Sequence, residues 1–182
     1  MGDKSEEKIL ADWLKSAKRQ VILNGDKTSA FISYRFDASL ETVWNAWTDL
    51  TKLGRWFAKI SGDMREGNEI VFDVGAPCNI TSTIIKLKPL EQIRFTWFYP
   101  GRAVDEIDVR FSQDGNSTFI ELEQYSTDKS NWWYGAGSGW ESALVRLSLL
   151  LSGVDPKSIS NDKFDETFGA LWLTAGNASF TI

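Results

Sequence analysis

Few side chains in this sequence could do chemistry. Arg35, Tyr99, Glu106, Glu121 and Glu123 are the polar candidates. A carboxylate pair such as Glu121 and Glu123 can share acid–base work when one member is held near neutrality, usually by burial. Here the pair alternates with Ile120 and Leu122, so both carboxylates fall on the face opposite the apolar one. Exposed glutamate is the ordinary case, and the pair reads as surface charge. Arg35 points outward with Ser33 by the same rule. The chain has no histidine, which removes His-based triads, His general bases and His-ligated zinc. No Asp-rich loop of EF-hand spacing offers a carboxylate metal site. Cys78 is the only cysteine. It forms no intrachain disulfide and has no histidine to activate it as a nucleophile. No ionisable group stands out as buried and shifted, and the residues predict no catalytic set, no metal and no cofactor.

Aromatic surface is abundant instead. Aromatic residues make up 13% of the chain, with 9 Trp and 11 Phe. Each ring removes roughly 150–250 Å² from water when buried, so several can line a cavity or fill a core. Spacing alone leaves both readings open.

The elements that position these rings follow from periodicity. Glu6–Leu23 places Ile9, Leu10, Trp13, Leu14, Ala17, Val21 and Ile22 at helical spacing. Asn24-Gly25-Asp26 would stop that helix, which reads as a cover on the domain or a partner-binding element. Ser29–Phe36 alternates as a strand. Ser39 caps a helix over Leu40–Thr48 that buries Val43, Trp44 and Trp47. Asp49 and Thr51 can cap a second short helix ending with Leu53, Trp56 and Phe57. Further strands are predicted over Glu69–Val74, Asn79–Leu87, Gln92–Tyr99, Val104–Phe111 and Thr118–Tyr125. Turns at Pro89-Leu90-Glu91, Pro100-Gly101 and Gln113-Asp114-Gly115-Asn116 join the last four. The result is an antiparallel meander with one wet face. Asn131–Ser152 is a long helix closed by Gly153 and Pro156, with an apolar stripe of Trp133, Ala136, Trp140, Leu144, Leu147 and Leu151. Gly135, Gly137 and Gly139 each cost about 1 kcal/mol against Ala. They also let backbone or ligand come close, which marks this end as a cavity mouth. Phe164, Phe168, Leu171 and Trp172 suggest another helix over Asn161–Phe180.

Charge and composition narrow the partners. The net charge is −5, and the short basic run Lys15, Lys18, Arg19 suits a helix C-terminus better than phosphates. Nucleic acid is not an expected partner. No apolar stretch approaches about 18 residues, so no membrane span is expected. Met1–Lys8 is too polar for a signal peptide, and a single cysteine suits a reducing cytoplasm.

Several motifs carry a resemblance. They are Asp37-Ala-Ser-Leu-Glu-Thr-Val-Trp44, Trp47-Thr48-Asp49, Leu53 with Arg55-Trp56, and Gly62-Asp63-Met64-Arg65-Glu66-Gly67. Arg94-Phe95-Thr96-Trp97 and Gly139-Trp140 complete the set. Through these, residues 28–153 resemble the START-like (SRPBCC) superfamily, in the branch named after activators of the 90-kDa heat-shock protein ATPase. The resemblance implies an α+β helix-grip fold: a curved antiparallel sheet around a long C-terminal helix, with two short helices after the first strand. Residues 1–27 and 154–182 would be helical extensions to that domain. Superfamily members bind lipids, steroids and other apolar molecules, some are cyclases, and the branch's eukaryotic founders stimulate a chaperone. Many relatives place His near the position of Gln124, and the glutamine here weakens any acid–base role.

The expected function is non-catalytic binding of a small apolar or amphipathic ligand between sheet and long helix. Its expected lining is Trp56, Phe72, Phe95, Trp97, Tyr99, Gln124, Trp133, Trp140 and Leu144, with Gln124 and Tyr99 as the orienting polar groups. A cavity under about 300 Å³ would contradict this. A co-chaperone-like interaction module and a cyclase-like enzyme are the alternatives.

Overall fold

A computed structural model describes residues 5–75, 79–128 and 132–180. Cys78 and the expected helix start at Asn131 lie outside the described residues. The chain runs α1 (Glu6–Ser16), β1 (Lys18–Asn24), β2 (Lys27–Phe36), α2 (Leu40–Thr48), α3 (Leu50–Trp56), β3 (Lys59–Gly62) and β4 (Glu69–Asp73). It continues with β5 (Ile80–Lys88), β6 (Gln92–Trp97), β7 (Asp105–Asp114), β8 (Ser117–Ser126), α4 (Trp132–Leu151) and α5 (Asn161–Phe180). The strands form one 8-stranded antiparallel sheet in the order β1-β2-β8-β7-β6-β5-β4-β3. With α4 against its concave face, this is the α+β helix-grip fold.

Local chemistry accounts for most boundaries. Ser39 Oγ accepts from the Thr42 amide at 3.3 Å and opens α2. Asp49 Oδ1 accepts from the Thr51 amide at 2.9 Å and opens α3, so two helices fit in a wedge between β2 and β3. Gly115, at φ 62°, lets Asp114 and Ser117 pair across a two-residue turn. Ile107, Val109, Ile120 and Leu122 have no exposed surface. Their alternation puts a continuous apolar face under α4.

The expected helix Glu6–Leu23 is corrected. It stops at Ser16, and Lys18–Asn24 is a strand paired with β2, Arg19 opposite Ile32 and Asn24 opposite Lys27. Val21 is buried in the strand and is equally apolar at the helical spacing, so its hydrophobicity did not discriminate. Val21 and Ile22 are β-branched, and Gly25-Asp26, with Gly25 at φ 60°, is a two-residue hairpin turn rather than a helix stop. The segment is therefore only partly helical, and its second half extends the sheet. The short strand β3 also had no forecast.

Helices α4 and α5 touch where glycines remove side chains. A Cβ on Gly137 would lie 2.2 Å from Cδ2 of Trp172, and one on Gly176 would lie 2.2 Å from Nε1 of Trp133. Each helix thus offers a notch to an indole of the other. Beside them, Glu141 has no exposed surface. It accepts from Trp13 Nε1 at 2.8 Å, Trp172 Nε1 at 2.7 Å, and Arg19 through Nη2 at 2.8 Å and Nε at 3.0 Å. A charge taken this far from water is tolerated only with such saturation. One α4 carboxylate therefore ties together α1, β1 and α5.

Candidate functional site

A cavity of about 440 Å³ opens to solvent between the first half of α4 and the far ends of β6, β7 and β8. Its apolar walls are Phe57, Ile80, Trp97, Tyr99, Trp132 and Trp140, and its polar wall is Arg102, Asp105, Gln124, Ser126 and Asp128. Gly135, Ala136 and Gly139 form the helix side. No atom lies within 4 Å of where a Cβ on Gly135 or Gly139 would stand, so these two glycines face open space.

The aromatic wall is held by ring packing. Phe57 stacks on Trp140 with centroids 5.1 Å apart and planes 3° from parallel. Trp97 meets Trp140 at 5.4 Å, tilted by 52°. Beneath them a hydrogen-bonded chain fixes the polar wall. Trp140 Nε1 donates to Gln124 Oε1 at 2.7 Å, and Gln124 Nε2 donates to Asp105 Oδ2 at 2.7 Å. An indole N–H can only donate and a carboxylate only accept, so the amide has one orientation. Gln124, which is 3% exposed, spends its polar atoms within the protein and positions Asp105.

Asp105 was not expected as a site residue. It begins β7 on the same parity as Ile107 and Val109, so alternation did carry the signal; the expected strand Val104–Phe111 contains it, but the inward face was read only from Ile107 onward. Burial pushes its carboxyl above the usual carboxylate range and Asp128 adds to this. Ser126, Gln124 and Arg102 pull the other way. The expectation that no ionisable group is shifted by burial fails at this residue. Trp132 is 7% exposed, and its indole N–H has no partner among the described residues.

The expected lining divides into four groups. Trp97, Tyr99, Gln124 and Trp140 face the cavity. Phe72 and Phe95 lie behind them around a residual gap of about 10 Å³, which is packed core. Trp56 and Leu144 are core as well: Trp56 Nε1 donates to the Ala46 carbonyl at 2.9 Å, and Leu144 is fully buried. Trp133 turns away to the Gly176 notch on α5. The face that meets the cavity is Trp132, Ala136 and Trp140, at spacing four, one residue round from the expected start of the stripe.

The remaining candidates lie on the outer sheet face. Glu123 accepts from Ser29 Oγ at 2.5 Å and Tyr125 Oη at 2.6 Å. Glu106 pairs with Arg94, and Arg35 with Asp114 at 2.5 Å. Among the described residues no group of three or more acidic or cysteine side chains could hold a metal ion. No described helix is long and apolar enough to cross a membrane.

Comparison with known proteins places this geometry. The family model described as activator of Hsp90 ATPase homolog 1-like protein matches residues 37–152. Among solved structures, CalU16 from Micromonospora echinospora is 27% identical, with a TM-score of 0.74 over 89% of this chain and 99% of that one. The match to CalU16 thus reaches well outside the family segment. The Aha1 dimer from Colwellia psychrerythraea is 20% identical, with a TM-score of 0.61 over 68% of this chain and 95% of that one. DynU16, from the dynemicin biosynthetic locus, is 18% identical, with a TM-score of 0.65 over 70% of this chain and 49% of that one. No curated protein matches the sequence.

Proposed function

The chain belongs to the activator of Hsp90 ATPase homolog 1-like family, and from that premise we propose that it binds a small apolar or amphipathic ligand, without catalysis, in the cavity beside Trp97 and Trp140. The observation that carries this reading is the space itself. At about 440 Å³ it exceeds the roughly 300 Å³ at which ligand sites begin. Its composition fits too, with aromatic walls and a few polar groups gathered at one side. A site of packed rings would leave no such volume, as the gap beside Phe72 and Phe95 illustrates. A cytoplasmic location suits a chain with a single cysteine.

Native mass spectrometry of the purified protein tests this, followed by titration with a naphthalene-based probe while tryptophan emission is read. A bound mass, or saturable quenching lost in Trp97→Ala, supports the reading. No co-purified mass and no saturable response would defeat it. The family description also favours a co-chaperone-like role. A measurable rise in the ATPase rate of a 90-kDa heat-shock chaperone on adding this protein would support that role, and an unchanged rate would count against it.

A further inference from the structure

The cavity has a chemical sign. Among the described residues its ionisable lining is Asp105 and Asp128 against Arg102. The carboxylates are half-buried while Arg102 is exposed, its guanidinium 5.9 Å from the Tyr99 ring centroid. Water screens an exposed charge far more than a buried one, so the interior field is negative. Around it stand the rings of Trp97, Trp140 and Tyr99, which supply apolar surface for the body of a ligand.

We propose that the ligand is an organic amine, protonated at neutral pH, joined to a flat apolar body, with Asp105 as its counter-ion. This rests on the ligand-binding reading above and narrows its ligand class. Gln124 fixes one Asp105 oxygen from behind, through the contact relayed from Trp140. The carboxylate is therefore preorganised and loses little freedom when an ammonium docks. An anionic amphiphile, such as a fatty acid, would set its own carboxylate against Asp105 and Asp128.

Three probes sharing one ring system test the sign at pH 7 by isothermal titration: 1-naphthylmethylamine, 1-naphthalenemethanol and 1-naphthoate. The amine is expected to bind about tenfold more tightly than the alcohol, and the carboxylate most weakly. Asp105→Asn, checked for folding by circular dichroism, should lower the amine to the level of the alcohol. Equal affinity for the three probes, or preference for the carboxylate, would overturn the amine assignment and leave the cavity reading intact. Binding of none would remove the cavity reading and the amine with it. The comparison on the unaltered protein decides the matter without the variant.

Discussion

Glu141 is sealed from solvent on the side of α4 turned toward the terminal elements, where its oxygens accept from two indoles and a guanidinium. Removing one partner of a buried ionic group leaves the others desolvated and unmet, at about 3–5 kcal/mol. Glu141→Ala should therefore lower the urea midpoint by that equivalent, and a loss below about 1 kcal/mol would mean that water replaces the carboxylate. Asp105 makes the opposite kind of statement. Its carboxyl is held above the usual range, chiefly by burial and with Asp128 adding to it, against the pull of Ser126, Gln124 and Arg102. Between the ordinary carboxylate value and the raised one, the folded state holds a proton that the unfolded state releases. Stability therefore falls as pH rises through that window. Thermal melts across the acidic range should show this decline, and Asp105→Asn should flatten it. An unchanged profile would place the titration elsewhere.

At the scale of elements, α4 is governed by which way each glycine faces. Gly137 meets Trp172, whose indole is bonded to Glu141 and cannot retreat. Gly137→Ala should cost about 1–3 kcal/mol through overpacking. Gly135 and Gly139 face the cavity with nothing within 4 Å, so Gly139→Ala should gain up to about 1 kcal/mol of helix propensity. The same methyl enters the cavity and should weaken binding of 1-naphthalenemethanol. Paired thermal melts and titrations on both variants would expose a reversed order of stability. Gly139 would then cost helical stability in favour of room for a ligand, a tension common at functional sites.

Across the whole molecule, the terminal elements are part of the fold's support rather than ornaments on it. Trp13 and Arg19 come from one end of the chain and Trp172 from the other, and all three close on Glu141 in the central helix. A chain trimmed to residues 28–153 would expose that carboxylate and the apolar back of α4. It is expected to lose cooperative unfolding and to bind a hydrophobic dye such as anilinonaphthalene sulfonate. A trimmed chain with a sharp native-like transition would show that the central region stands alone.

The amino-acid order was enough for everything governed by near neighbours. The caps at Ser39 and Asp49, the strand alternation from Ile93 to Tyr125, the turn at Gly115 and the helix over Asn161–Phe180 are all local, set by periodicity and turn chemistry. Where two local readings coincided, order could not choose. Val21 is apolar at the right place for a helix or a strand, and only pairing with Ala30 on β2 decided it. Rotation of α4 about its axis was likewise beyond local rules, since Trp132 and Trp133 are adjacent and chemically alike. The Gly176 notch drew Trp133 toward α5 and left Trp132 to the cavity. Glu141 and Asp105 acquired their character from hydrogen-bond partners 19 to 128 residues away along the chain. Burial and saturation of a charge are properties of the assembled interior, and no local spacing encodes them.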